Sequence, residues 1–276
     1  MIIIKKSSVT IPDMKRNKIH KLLIPILLPL LCLTGGCGSA PGKESVPLSA
    51  VTSRVLLSGD TCETTVYEIA SETEGPVLYV VGGTHGDETA AWEAAHSLIR
   101  RAREGSLHLA CGTLYVLPEA NAYGVAHEQR KTKDDYDLNR AYPGDASGKD
   151  AARIADAIFT DIKEKQPALV IDLHEAKLHT DGKDNLGNTI ICNDMEPVGD
   201  LVMGLLTDSE SGALALSAPL SLYASPPEGS LNKTVSEKLN IPVITVETFR
   251  EEDEDVRVKN HLAVLGYILD AYGMNG

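Results

Sequence analysis

The stretch Gly82-Gly83-Thr84-His85-Gly86-Asp87-Glu88 sets an imidazole and a carboxylate three residues apart, directly after an apolar, strand-like segment. A second apolar segment, Val170-Ile171-Asp172-Leu173-His174, again ends on a histidine. Two histidines and one carboxylate make the three-ligand set of a catalytic zinc site, whose fourth position stays open. His85, Glu88 and His174 are therefore the candidate ligands. The His-x-x-Glu spacing is weak by itself, because a carboxylate at a helix start also meets the helix dipole favourably. The bland alternative for His174 is a satisfied core histidine. Asp172, two residues earlier, could orient the His174 ring from behind.

For these groups to meet, the segments between them must fold back on one another. Apolar and β-branched runs predict strands over 64–70, 76–82, 113–118, 168–173, 188–193 and 242–248. Helical patterns lie over 88–103, 149–165, 196–207, 230–239 and 254–273. This alternation predicts an α/β fold, a single domain with a mixed, largely parallel twisted sheet flanked by helices. Val77–Val81 and Ala168–Ile171 are almost wholly apolar, as strands buried on both faces are. The polar motif residues then fall just past the strand ends, where open α/β sheets hold their ligands. No Pro/Gly-rich break divides residues 51–276, which read as one catalytic domain.

The chain has 276 residues, 43% of them hydrophobic, enough for one domain with a full core. Its N-terminus reads differently. Six basic residues between Lys5 and Lys21 precede an apolar run of 12, Leu22–Leu33. That is too short for a permanent span, which needs about 20 residues, and fits a signal peptide over 1–36. Met14 is an alternative start, since the segment from it already carries the basic region a signal needs. Leu33-Thr34-Gly35-Gly36-Cys37 resembles a bacterial lipoprotein processing box, making Cys37 the expected lipid anchor and 37–50 a tether; the alternative is cleavage without lipid near Gly36 or Ala40. The expected location is the outer side of the cytoplasmic membrane. Losing residues 1–36 removes six basic residues and one acidic residue, so the formal charge moves from −13 to −18. Such a surface argues against nucleic acid as a partner, since phosphate binding relies on basic patches. The run Glu251–Asp255 reads as a solvated loop, lacking the spaced carboxylates and turn glycine of a calcium loop. Cys62, Cys111 and Cys192 are too few and too scattered for a disulfide framework. His96, His108, His127, His179 and His261 show no partner pattern.

Between the two histidine segments lie Asn121-Ala122-Tyr123-Gly124, Arg130, and Tyr136-Asp137-Leu138-Asn139-Arg140-Ala141-Tyr142-Pro143-Gly144. With Gly-Thr-His-Gly-Asp-Glu before them and Asp-Leu-His after, this ordered set resembles the zinc metallocarboxypeptidase superfamily, most of all its succinylglutamate desuccinylase/aspartoacylase branch. The resemblance covers residues 64–250 and implies a zinc carboxypeptidase-like fold with one Zn2+ on His85, Glu88 and His174. It further implies that Arg130 stabilises the oxyanion, that Asn139 and Arg140 grip a substrate carboxylate, and that Glu247, ending the strand Ile241–Glu247, is the general base. Tyr223, ahead of Gly229-Ser230-Leu231, is similar to the family's mobile substrate-binding tyrosine, and is the loosest match. The chemistry is coherent: zinc acidifies a water, a carboxylate moves its proton to the leaving amine, an arginine meets the developing charge, and a planar guanidinium suits a carboxylate.

Enzymes of that branch usually carry an extra C-terminal β-rich domain, whereas 29 residues follow Glu247 here. A more open cleft is the expectation. Together with export, it favours a carboxypeptidase-type peptidase acting on peptides with a free carboxylate. An N-acyl amino acid deacylase is the alternative, and a non-catalytic zinc- or substrate-binding lipoprotein the third reading.

Overall fold

Leu169–Ala176 is buried at every position, which a strand achieves only when both faces of its sheet are covered. The computed structural model describes residues 49–176, 186–193 and 196–276, and shows this strand in the middle of one eight-stranded sheet. The signal peptide, Cys37 and His179 lie outside the described residues. The strands are β1 (Ala50–Leu56), β2 (Thr64–Ala70), β3 (Val77–Val81), β4 (Thr113–Leu117), β5 (Leu169–Ala176), β6 (Thr189–Cys192), β7 (Ser221–Tyr223) and β8 (Val243–Phe249), in the order β1-β2-β4-β3-β5-β8-β6-β7. Four of the seven pairings are parallel, among them the three that join β4, β3, β5 and β8. The α/β mixed sheet expected from the sequence is the fold observed.

The helices are α1 (Thr89–Arg103), α2 (Ala122–Ala126), α3 (Asp150–Lys165), α4 (Gly199–Ser211), α5 (Leu231–Leu239) and α6 (Glu254–Ala271). In α1, Ala91, Ala94, Ala95, Leu98 and Ala102 recur at helical spacing and are buried. With Val264, Leu265 and Ile268 of α6 they cover one face of the sheet over Leu78, Val80 and Ile171. Ile154, Ile158 and Ile162 of α3 and Val235 of α5 cover the other face over Tyr79, Val81 and Val170. At about 25 cal/mol per Å2 of apolar surface, these two layers are the main stabilising term.

Three elements escaped the sequence patterns. β1 is a mostly exposed edge strand with no fully buried position, and Ser49 before it is buried, accepting from the Leu109 amide at 2.9 Å. The described fold therefore reaches into the segment expected to be tether. β7 has three residues, all exposed, and α2 is a five-residue turn. The acidic run is not all loop either: Glu254 and Asp255 form the first turn of α6, where they oppose its dipole.

The parallel register sets the stage for the site. Val81 pairs with Leu117 and with Asp172, Asp172 with Thr245, and His174 with Glu247. The ends of β3, β4, β5 and β8 thus share one edge of the sheet, with β5 and β8 projecting beyond the others.

Candidate active site

The chain leaving β3 must turn sharply, and Gly83 takes φ +67°, a backbone region that favours glycine. Gly86 is needed for a different reason. A Cβ there would sit 1.9 Å from the carbonyl carbon of Gly124, so only glycine lets this loop cross the α2 turn. The Gly86 amide donates to the Gln129 carbonyl at 3.0 Å, which brings Arg130 beside Glu88.

Glu88, 2% exposed, is the hub. Its Oε1 accepts from His85 Nδ1 at 2.7 Å and from Arg130 Nη1 at 3.2 Å, while Oε2 accepts from His174 Nδ1 at 2.8 Å and from the Glu175 amide at 3.1 Å. Each imidazole also turns Nε2 to a second carboxylate: His85 to Asp137 Oδ1 at 2.9 Å, His174 to Asp172 Oδ2 at 3.1 Å. Burial opposes charge on these rings, but Glu88 and Asp137 around His85, and Asp172 and Glu88 around His174, raise both pKa values, that of His174 strongly. Burial likewise opposes charge on Glu88, yet the two imidazoles hold its carboxyl well below the ordinary range. The surroundings therefore stabilise positive charge between His85 and His174. Ligand atoms of His85, Glu88 and His174 lie within 4.8 Å of one another. A buried donor set of two imidazoles and one carboxylate, with further carboxylates behind both rings, fits a divalent metal, and zinc best by ligand type.

The other candidates surround this cluster. A cavity of about 550 Å3 is lined by the three ligand candidates and by Arg130, Asn139 and Arg140. Glu247 and Tyr223 border it as well. Asn139 and Arg140 lie in a short 3-10 turn, Leu138–Arg140, that Asp137 caps through its hydrogen bond to the Asn139 amide. Asn139 Nδ2 is 3.4 Å from His174 Nε2, and its Oδ1 accepts from the Leu231 amide at the start of α5 at 3.0 Å. Glu247 projects beside His174 from β8, and burial pushes its carboxyl up to about 7 although His174 pulls the other way. Tyr223 ends β7 opposite Ile191 and is 43% exposed. The site's far side is braced by a buried ion pair between Glu175 and Arg257 of α6.

Asp137 is a further residue of the site, one that the sequence patterns do not single out. Besides its bond to His85, its Oδ2 accepts from Arg130 Nη2 at 3.0 Å and Nε at 3.3 Å. Burial would raise its pKa, but His85 and Arg130 hold it well below the usual carboxylate range. One usable signal was its position two residues before Asn139, the offset by which Asp172 precedes His174. Thr245 and Asn232 also line the cavity without any signal in the sequence. Of the remaining histidines, His96 pairs with Glu119 at 2.7 Å, His127 stacks on Tyr123, and His261 is fully buried against Thr248.

The family model of the succinylglutamate desuccinylase/aspartoacylase catalytic domain matches residues 74–248. N-alpha-acetyl-L-2,4-diaminobutyric acid deacetylase of Halomonas elongata is 32% identical over 107 residues, 38% of this chain and 30% of that protein. The chain thus matches under a third of that relative's length. An aspartoacylase family protein from Mesorhizobium loti has the same fold, with a TM-score of 0.62 at 23% identity over 83% of this chain and 68% of that one. So does a metallo-carboxypeptidase from Burkholderia cenocepacia, with a TM-score of 0.60 at 15% identity over 82% of this chain and 65% of the other. With the match covering most of the chain, from just before β3 into β8, the protein belongs to the succinylglutamate desuccinylase/aspartoacylase catalytic domain family.

Proposed function

We propose that this protein is a zinc-dependent hydrolase that cleaves an amide bond next to a free carboxylate, trimming peptides from the C-terminus. One observation carries the reading: a buried metal-binding cluster, a strand-end carboxylate and two arginines line a single cavity. Zinc held by His85, Glu88 and His174 would supply a Lewis acid and an acidified water. Glu247, with its carboxyl raised to about 7 by burial, can take a proton near neutral pH and pass it to the leaving amine. Arg130, oriented by Asp137, directs N–H groups to the edge of the cluster, where charge develops on the attacked carbonyl. Arg140 and Asn139 hold the substrate carboxylate, a task suited to a planar guanidinium. Tyr223, exposed on the edge strand, closes over the bound residue.

Release of a small acid from an N-acyl amino acid is the second reading. It is favoured by family membership and by the likeness to a deacetylase. Peptides stay in first place because Asn139 and Arg140, suited to a terminal carboxylate, line the same cavity as the metal-ligand candidates. Sequence alone supports export and anchoring through Cys37, which would put the enzyme on the outer side of the cytoplasmic membrane with cell-wall stem peptides within reach.

The test is release of C-terminal residues from a peptide library, run beside a panel of N-acyl amino acids, with bound zinc measured and Glu247→Gln as control. Zinc-dependent trimming that vanishes in the variant is the expected result. Turnover confined to the N-acyl panel moves the protein to the deacylase reading. Full zinc with no turnover on either panel refutes both.

A further inference from the structure

The cavity wall away from the metal-ligand cluster has a composition that the catalytic reading does not use. Ile191 of β6 pairs with Tyr223 of β7 on one side and with Thr245 of β8 on the other, so the three side chains stand in one row on one face of the sheet. Thr245 precedes Glu247 by two residues and shares its face, which sets the row beside the strand-end carboxylate. Leu186, Pro226 and Pro227 line the same cavity. Ile191 keeps 7% of its surface exposed and Tyr223 43%, so both are open to a molecule inside.

The polar side chains of this wall are turned to other protein groups. Ser230, Asn232 and Thr245 are 0%, 1% and 5% exposed. The Ser230 hydroxyl accepts from the Lys233 amide at 3.2 Å, and Asn232 Nδ2 donates to the Ile191 carbonyl at 3.0 Å and to Thr245 Oγ1 at 2.9 Å. The charges are committed as well. Arg130 is bound to Glu88 and Asp137, Glu175 is paired with Arg257, and Arg140 is the group assigned to the substrate carboxylate. Among the described residues, no other arginine and no lysine lines the cavity.

Two backbone contacts tie the carboxylate clamp to this wall. The Leu231 amide donates to Asn139 Oδ1 at 3.0 Å, and the Tyr142 amide donates to the Gly229 carbonyl at 3.1 Å. The turn that carries Asn139 and Arg140 is thereby fixed to the segment that follows Pro226 and Pro227. In an amino acid the side chain branches from the carbon next to the carboxylate. A residue gripped by Asn139 and Arg140 therefore turns its side chain toward the wall.

We infer that Ile191, Tyr223 and the two prolines form the subsite for the side chain of the substrate's carboxylate-bearing residue, and that this side chain is apolar, of the leucine or phenylalanine kind; this rests on the proposed amide hydrolysis. An apolar side chain leaves water for apolar surface there. A charged one loses its water and gains no partner, and an acidic one is also brought toward Glu247.

Peptides identical except for a C-terminal leucine, phenylalanine, aspartate or lysine, together with the N-acetyl forms of the same four amino acids, supply the test on zinc-loaded full-length protein. Leucine and aspartate are near-isosteric, so their ratio reads polarity rather than size. The expected kcat/KM for leucine and phenylalanine is at least about tenfold above that for aspartate and lysine. Tyr223→Lys, at an exposed position, should lower the leucine-to-aspartate ratio by about tenfold, and Ile191→Lys, in the middle of the row, should lower it further. Reading the ratio keeps a general loss of rate from counting. Aspartate or lysine substrates cleaved as well as leucine by the unaltered protein overturn the inference, as does a ratio that Tyr223→Lys leaves unchanged. Calorimetry with the four free amino acids separates the inference from the hydrolase reading. Leucine and phenylalanine bound ahead of aspartate and lysine, with no amide cleaved, would sink hydrolysis and leave the subsite standing; cleavage that favours a charged residue would do the reverse. No binding and no cleavage of any of them overturns both.

Discussion

Asp137 is where the proposed metal site and the proposed oxyanion donor meet, and two substitutions can separate them. Its Oδ1 holds His85 Nε2 and the Asn139 amide, each at 2.9 Å, while Oδ2 holds two nitrogens of Arg130. Asp137→Ala removes all of these. His85, 3% exposed, then keeps a buried N–H with no partner, a loss of about 1–3 kcal/mol. Losing the carboxylate behind a ligating imidazole typically weakens metal binding about 10- to 100-fold, or about 1.4–2.7 kcal/mol. Asp137→Asn differs. Its oxygen can stay on His85 and Asn139, but its NH2 then faces the Arg130 donors and the guanidinium is released. The alanine variant should therefore lose zinc affinity and turnover together. The asparagine variant should hold zinc within a few-fold of the unaltered protein, yet lose up to about 100-fold in kcat with the displaced oxyanion donor. Competition with a chromophoric chelator reads the affinity, steady-state kinetics on the best substrate reads kcat, and circular dichroism checks folding. A folded Asp137→Ala protein whose zinc affinity stays within twofold would refute the role given to this carboxylate.

Two further outcomes follow from buried titratable groups. His261 is fully buried with its pKa lowered to about 3 by burial, while in the unfolded chain it takes up a proton near 6.5. Protons thus favour the unfolded state between those values, and stability falls as pH drops, by about 2 kcal/mol from pH 7 to pH 5; urea unfolding at both pH values should show this loss shrinking in His261→Gln, and an unchanged pH dependence would refute the assignment. Burial pushes the Cys62 thiol from 9.0 up to about 11, so at pH 8 its thiolate is about a hundredfold scarcer than that of an ordinary cysteine. Iodoacetamide at pH 8 should label Cys62 only after unfolding, and equal labelling of the folded protein would contradict the burial.

What could be read from the sequence was what local spacing encodes. His85 and Glu88 are three residues apart, His174 and Glu247 each sit toward the end of an apolar run, and β3 and the first part of β5, Leu169–Ile171, show as apolar stretches. The structure brings all of these to one sheet edge because parallel pairing in register needs little beyond matching strand ends. Asp137 could not be matched to His85 across 52 residues of chain, since the match depends on how the loop after β4 lies over the one after β3. Gly86 stands in a glycine-rich motif, but its constraint is the Gly124 carbonyl carbon that a Cβ would strike at 1.9 Å, which no local pattern shows. Asn232 lies further still from local rules. As an asparagine in the first turn of a helix it reads as an ordinary polar surface residue, and only the packing of α5 against the β6–β8 pair turns it inward to the Ile191 carbonyl. The candidate metal ligands and Glu247 are thus announced by strand ends, whereas Asp137 and Asn232 are fixed by contacts between elements. That division explains how a family resemblance can locate the chemistry and still leave the substrate open.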